Sequence, residues 1–166
     1  ILNVGNQTST LALWGKSLPF FSREINYAGF HFNKYIMEKH NIDYSEAETI
    51  KMDKGVDIAN ANDDSLDSES NELHIAEKSV FSNLTDEVRK SLRYYVKSNN
   101  QVYFNKFLLS GGSALLPGLK EFIAENLNVE VDIFNPFQNI SSDIEIENPP
   151  QYAIAIGLAL RGMEEK

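Results

Sequence analysis

The chain contains no cysteine, so no disulfide staples it and no thiolate metal site is available to it. That suits a reducing compartment. Histidine is nearly as scarce: His31, His40 and His74 stand alone, at spacings that match no metal-ligand pattern. Basic residues number 15 against 24 acidic ones, and the net charge of -9 argues against nucleic acid as a partner, because phosphate binding needs clustered Lys and Arg. Long apolar runs are missing too: the longest, near residues 152–160, falls well short of the roughly 20 residues a spanning helix requires. No basic leader region opens the chain. Its first residue is Ile1 rather than Met, which leads us to expect a piece of a longer protein. There is no Walker A motif, no GxGxxG and no GxSxG, and no catalytic residue is expected. What is present, 42% hydrophobic and 23% charged residues in a chain of 166, is ordinary for one packed domain.

Three β-like segments come first, at residues 1–4, 8–14 and 17–25, the last two joined by a hairpin-type turn signal at Gly15-Lys16. Helical patterns follow at 31–40, where Phe32, Tyr35 and Ile36 share a face, and at 44–52, where Asp43 or Ser45 is the expected cap. The stretch 54–72 changes character. It gathers Asp57, Asp63, Asp64, Asp67, Glu69 and Glu72 among Asn and Ser, and reads as an exposed, mobile acidic loop. The spacing of its carboxylates does not fit a calcium loop. An amphipathic helix is expected over 73–98, with Phe81, Leu84, Val88, Leu92 and Tyr95 on one stripe. A buried strand (106–110), a helix (117–127), a strand (130–134) and an apolar last helix (151–161) complete the chain. Hairpin joins make the first three strands antiparallel, and helical crossovers make the later two parallel. The expected architecture is α/β, a mixed five-stranded sheet with helices on both faces. Residues 31–72 would form a small helical insert.

Three places could carry chemistry. Gly5 ends the first strand and is followed by Asn6, Gln7 and Thr8, either an ordinary polar hairpin or one whose amides face an anion. Gly111-Gly112, between Ser110 and Ser113, is either a plain turn or a bend that brings main chain against a flat ligand. Glu48 and Lys51, three apart on a helix, form either a surface ion pair or a clamp for a ribose.

These three signals occur in an order that resembles the C-terminal half of an actin-like ATPase (the ribonuclease H-like lobe of that fold). Within that superfamily the chain is similar to the PilM family of type IV pilus assembly proteins. The resemblance rests on Phe21-Ser22-Arg23-Glu24-Ile25, Glu46-Ala47-Glu48 with Lys51, the run from Leu109-Ser110-Gly111-Gly112-Ser113 to Leu119, Asn135-Pro136-Phe137, and Ala155-Ile156-Gly157-Leu158-Ala159-Leu160-Arg161. It covers nearly the whole chain apart from the acidic loop. It implies the second lobe of a nucleotide-binding fold over residues 1–166. ATP with Mg²⁺ would bind in the full-length protein through Asn3, Gly5, Asn6, Gln7, Thr8, Glu48, Lys51, Gly111, Gly112 and Ser113, with none bound to this piece alone. It also implies a cytoplasmic scaffold peripheral to the inner membrane, at most a slow ATPase. Its partners would be a PilN-type cytoplasmic tail and other pilus platform proteins. In the fragment, self-association through 151–161 is expected, because the last helix would pack on the absent lobe. Two departures stand out: Asn3 where the family carries Asp, and Tyr27-Ala28-Gly29 in place of a Gly-Gly pair. The alternatives are an FtsA-like cell-division protein and a nucleotide-free adaptor of a type II secretion platform.

Overall fold

Alternation in the second strand sets the sheet's two faces. Ser9, Leu11 and Leu13 are buried while Thr10 and Ala12 are half-buried and Trp14 is exposed, the period of two expected of a strand lying on a core. The computed structural model describes residues 1–15, 18–57, 79–100, 104–141 and 145–164. In it, β1 (Leu2–Val4), β2 (Ser9–Gly15), β3 (Leu18–Ile25), β4 (Phe107–Ser110) and β5 (Val131–Ile133) form one sheet in the order β3-β2-β1-β4-β5. The pairs β1–β2 and β2–β3 are antiparallel; β1–β4 and β4–β5 are parallel. This is the mixed five-stranded sheet that the segment order predicts.

The helices are α1 (Gly29–His40), α2 (Tyr44–Lys54), α3 (Val80–Asn99), α4 (Leu119–Leu127) and α5 (Ala153–Glu164), the last entered through a 3-10 turn at Pro149–Tyr152. The long amphipathic helix begins at Val80 because the Ser79 hydroxyl caps it, accepting from Ser82 N at 3.2 Å; its expected beginning at 73 lies outside the described residues. Its stripe is core, as its spacing predicts. Phe81, Leu84, Val88 and Tyr95 are buried with Leu2, Val4, Leu11 and Leu109 of the sheet. Each such side chain stabilises the fold by roughly 1.5–3 kcal/mol through burial. Polar ties pin α3 to β3: Arg23 donates to Ser91 Oγ at 2.9 Å and to Glu87 Oε2 at 2.7 Å, and the Tyr95 hydroxyl donates to Pro19 O at 3.0 Å. The acidic residues expected in a loop over 54–72 lie, from 58 onward, outside the described residues, as do His74 and the Lys16 turn.

Helix α2 is fixed at its start by a capping box. Asp43 accepts from Glu46 N, and the Glu46 carboxylate accepts from Asp43 N. Asp43 rather than Ser45 is therefore the cap. Helices α1 and α2 share a small second core of Ile36 and Ala47, yet α1 also sends Phe32 into the main core, where its ring lies 4.5 Å from that of Phe81. Helical cover of the sheet is unequal. On the face opposite α3, Trp14 and Phe20 are 71% and 70% exposed, and no residue of α5 is buried. Among the described residues, no helix is long and apolar enough to cross a membrane.

Candidate functional site

Two turns and one helix face meet at the carboxyl ends of β1 and β4, where open α/β sheets hold their ligands. The first is the bend after Val4. Gly5 N donates to Thr8 O at 3.2 Å, which closes the bend on itself, so an anion there would be met by other amides. Its carbonyls face the start of α1: Gly29 N donates to Gly5 O at 3.0 Å and Phe30 N to Asn6 O at 2.8 Å. These bonds satisfy two of the orphan donors that every helix start leaves. Gly29 sits tightly in this seating. A Cβ there would meet Ser113 Oγ at 3.0 Å and Gly5 O at 3.3 Å.

The second turn follows β4, and its two glycines do different work. Gly111 has φ +95°, and a Cβ on it would collide with Asn3 Oδ1 and the Val4 carbonyl. It serves the close approach of this turn to β1. Gly112 has nothing within 4 Å of where its Cβ would be, so its bare backbone is a surface open to a ligand. Ser113 N donates to Val4 O at 3.1 Å and locks the turn against the first bend.

The third element is the polar face of α2. Lys51 Nζ donates to Glu48 Oε2 at 2.7 Å, and Asn33 Nδ2 reaches the same oxygen at 2.5 Å from α1. The Lys51 side chain is 6% exposed against 42% for Glu48, so the ammonium is held inside while the carboxylate faces the opening. Partial burial pushes the Glu48 carboxyl up, but the Asn33 amide and the Lys51 ammonium together outweigh it and hold the group below the ordinary glutamate value. This is a preset, charged hydrogen-bonding pair rather than a loose surface bridge.

Gly5, Asn6, Gly29, Glu48, Lys51, Met52, Gly112, Ser113 and Leu116 line one open cleft of about 190 Å³. Six of the residues expected from sequence are thus brought together: Gly5, Asn6, Glu48, Lys51, Gly112 and Ser113. Asn3, Gln7, Thr8 and Gly111 belong to the same turns and strand ends but do not line the cleft. Sequence reasoning missed the wall formed by Met52 and Leu116. It also missed Asn33, a fully buried polar residue between Phe32 and Ile36, whose place on an apolar helix face was the available signal.

A family model described as "Type IV pilus assembly protein PilM" matches residues 1–163. No curated protein matches the chain. Among solved structures, the chain is similar to one described as the "PilM-PilN type IV pilus biogenesis complex", with 27% identity and a TM-score of 0.74 over 97% of this chain and 44% of that one. It is similar to the ethanolamine utilization protein EutJ from Carboxydothermus hydrogenoformans (19% identity, TM-score 0.61, 96% of this chain and 47% of that one). It is also similar to MreB 5 of Spiroplasma citri bound to AMPPNP (17% identity, TM-score 0.60, 99% of this chain and 53% of that one). The fold is that of an actin-like ATPase lobe, and the chain spans about half the length of the structures it matches.

Proposed function

This chain belongs to the type IV pilus assembly protein PilM family, and on that premise we propose that it is one lobe of a nucleotide-responsive scaffold in the pilus assembly platform. The observation that carries the reading is the single cleft shared by the Gly5 bend, the Gly112-Ser113 turn and the Glu48–Lys51 pair. Each part suits one portion of an adenine nucleotide. A carboxylate and an ammonium 2.7 Å apart present an acceptor and donors to the two hydroxyls of a ribose. Gly112, with no side chain, lets main chain lie against a flat base or sugar. The bend after Gly5 lies where phosphates would follow.

ATP is the proposed ligand of the intact protein. A PilN-type cytoplasmic tail and other platform proteins are its proposed partners, at the cytoplasmic face of the inner membrane. The role is that of a switch more than of a fast enzyme. Closure of two lobes around the nucleotide alters a partner surface, to the extent that the nucleotide favours the closed state.

The Mg²⁺ that the resemblance implies does not fit this lobe's side chains. Among the described residues no three His, Cys, Asp or Glu gather into a cation site. The one carboxylate in the cleft, Glu48, is already engaged by Lys51 and Asn33. Asn3 offers only a neutral amide, a weaker ligand than a carboxylate for a hard cation.

Gly112→Val tests the nucleotide reading. The added side chain points into open space, so the urea midpoint should be unchanged while affinity for ADP falls at least tenfold. Unchanged affinity in the folded variant would contradict the assignment of the cleft.

A further inference from the structure

We propose that Asn33 is a positioning residue for sugar recognition: it and Lys51 bind one oxygen of Glu48 and leave the other free for a hydroxyl of the ligand, so that the cleft takes ribonucleotides in preference to deoxyribonucleotides. The inference rests on the nucleotide reading of the cleft and goes further by naming what fixes the carboxylate and what that selects.

The bonding of Glu48 is lopsided. Asn33 Nδ2 from α1 and Lys51 Nζ from α2 donate to the same atom, Glu48 Oε2, at 2.5 and 2.7 Å. Among the described residues, Oε1 receives no hydrogen bond. Asn33 and Lys51 are both buried, whereas Glu48 lines the cleft and is well exposed. Two buried donors thus clamp one oxygen of a carboxylate that itself reaches the opening. The last torsion of a glutamate is broad, so a single partner leaves the carboxylate loosely turned. A second donor, held on a different helix, fixes it.

Packing alone does not account for Asn33. Its side chain bonds to Glu48 through Nδ2, while its Oδ1 is buried with no partner. An apolar residue of similar size, beside the small core of Ile36 and Ala47, would fill the space without the cost of desolvating that oxygen. The amide has one usable orientation, because an ionised carboxylate only accepts and the nitrogen must face it. The same bond helps hold the Glu48 carboxyl below its ordinary value, so Oε1 belongs to a charged acceptor at neutral pH. A fixed, charged acceptor matches a hydroxyl donor, and a sugar lacking that hydroxyl leaves it unpaired.

The test compares equilibrium affinities of the intact protein for ADP, 2′-deoxy-ADP and 3′-deoxy-ADP, in the wild type and in Asn33→Leu, which keeps the volume and removes the donor. In the wild type, at least one deoxy analogue should bind about tenfold or more weakly than ADP. In Asn33→Leu that preference should shrink to about threefold or less, because ADP loses more affinity than the deoxy analogue does. A merely structural role would weaken all three ligands alike. Carbon-detected titration of the Glu48 carboxyl without nucleotide should place it higher in the variant than in the wild type. Asn33→Ser, with a shorter side chain, is a second variant, and urea midpoints check that each folds. An unchanged preference or an unmoved Glu48 carboxyl in a folded variant would overturn the inference. Equal wild-type affinity for the three ligands would also overturn it and leave the cleft assignment standing. Absence of wild-type binding to all three would overturn the cleft assignment and the inference together.

Discussion

Gly111 N donates to Pro150 O at 3.0 Å, and this bond ties the first glycine of the cleft turn to the 3-10 turn from which α5 departs. The same glycine sits against Asn3 and Val4, so one residue touches β1, the end of β4 and the foot of the last helix. Gly111→Ala should destabilise the fold by about 2 kcal/mol or more, since it combines a positive φ with a collision against backbone. Gly112→Ala, one residue away and facing open space, should stay within about 0.5 kcal/mol of wild type. Urea denaturation of the two variants side by side checks the contrast; equal losses would show that the two glycines are not distinct in role.

The Glu48 carboxyl is held below its ordinary value in the folded chain. A depressed carboxylate contributes stability that is present above the unfolded value of 4.5 and lost as pH falls through the lower folded value. Stability should therefore decline on acidification below about pH 4.5, and Glu48→Gln should flatten that decline without changing its sign above pH 6. Glu87, also depressed through Lys90 and Arg23, contributes to the same decline and limits how flat the variant becomes. Urea midpoints between pH 6 and pH 3 are the readout. An identical slope in the variant would mean that the pair with Lys51 does not favour the folded state.

No residue of α5 is buried, and Ile154, Leu158, Leu160 and Met163 are at least half exposed. A run of apolar side chains of this kind drives association unless something covers it. Residues 1–166 expressed alone should therefore self-associate with rising concentration, and Ile154→Gln with Leu158→Gln should shift the equilibrium toward monomer. Sedimentation velocity across a hundredfold concentration range measures this. A strictly monomeric profile would contradict it.

Much of this was legible in local pattern. The stripe from Phe81 to Tyr95 predicted a core helix because a spacing of three and four has one structural solution. The Gly111-Gly112 pair marked a turn after a buried strand, either a plain one or one lying against a flat ligand, and did not reveal that Gly111 packs against Asn3 and Val4. Asp43 or Ser45 marked the start of α2, and the reciprocal bonds between Asp43 and Glu46 decide for Asp43. Other features were hidden for equally physical reasons. Asn33 joins Glu48 through a contact between two helices, and nothing in either helix alone encodes it. Gly29 stood out only as a departure from a Gly-Gly pair, whereas its role is to let α1 seat on the Gly5 and Asn6 carbonyls. The cleft wall of Met52 and Leu116 comes from helix α2 and the turn before α4, whose side chains there carry no polar signature. The exposure of α5 was readable from its apolar composition together with the resemblance, which implies a further lobe for that helix to pack on.

The central claim is that one cleft, bounded by the bends at Gly5 and Gly112 and by the Glu48–Lys51 pair, receives an adenine nucleotide. Amide chemical-shift mapping of the isotope-labelled intact protein during titration with ADP tests it most directly. The account predicts saturable shifts concentrated at Gly5, Asn6, Gly29, Gly112 and Ser113, with little change around Trp14 and Lys106 at the other end of the sheet. Shifts centred on that far end, or none at all up to millimolar ADP, would contradict it.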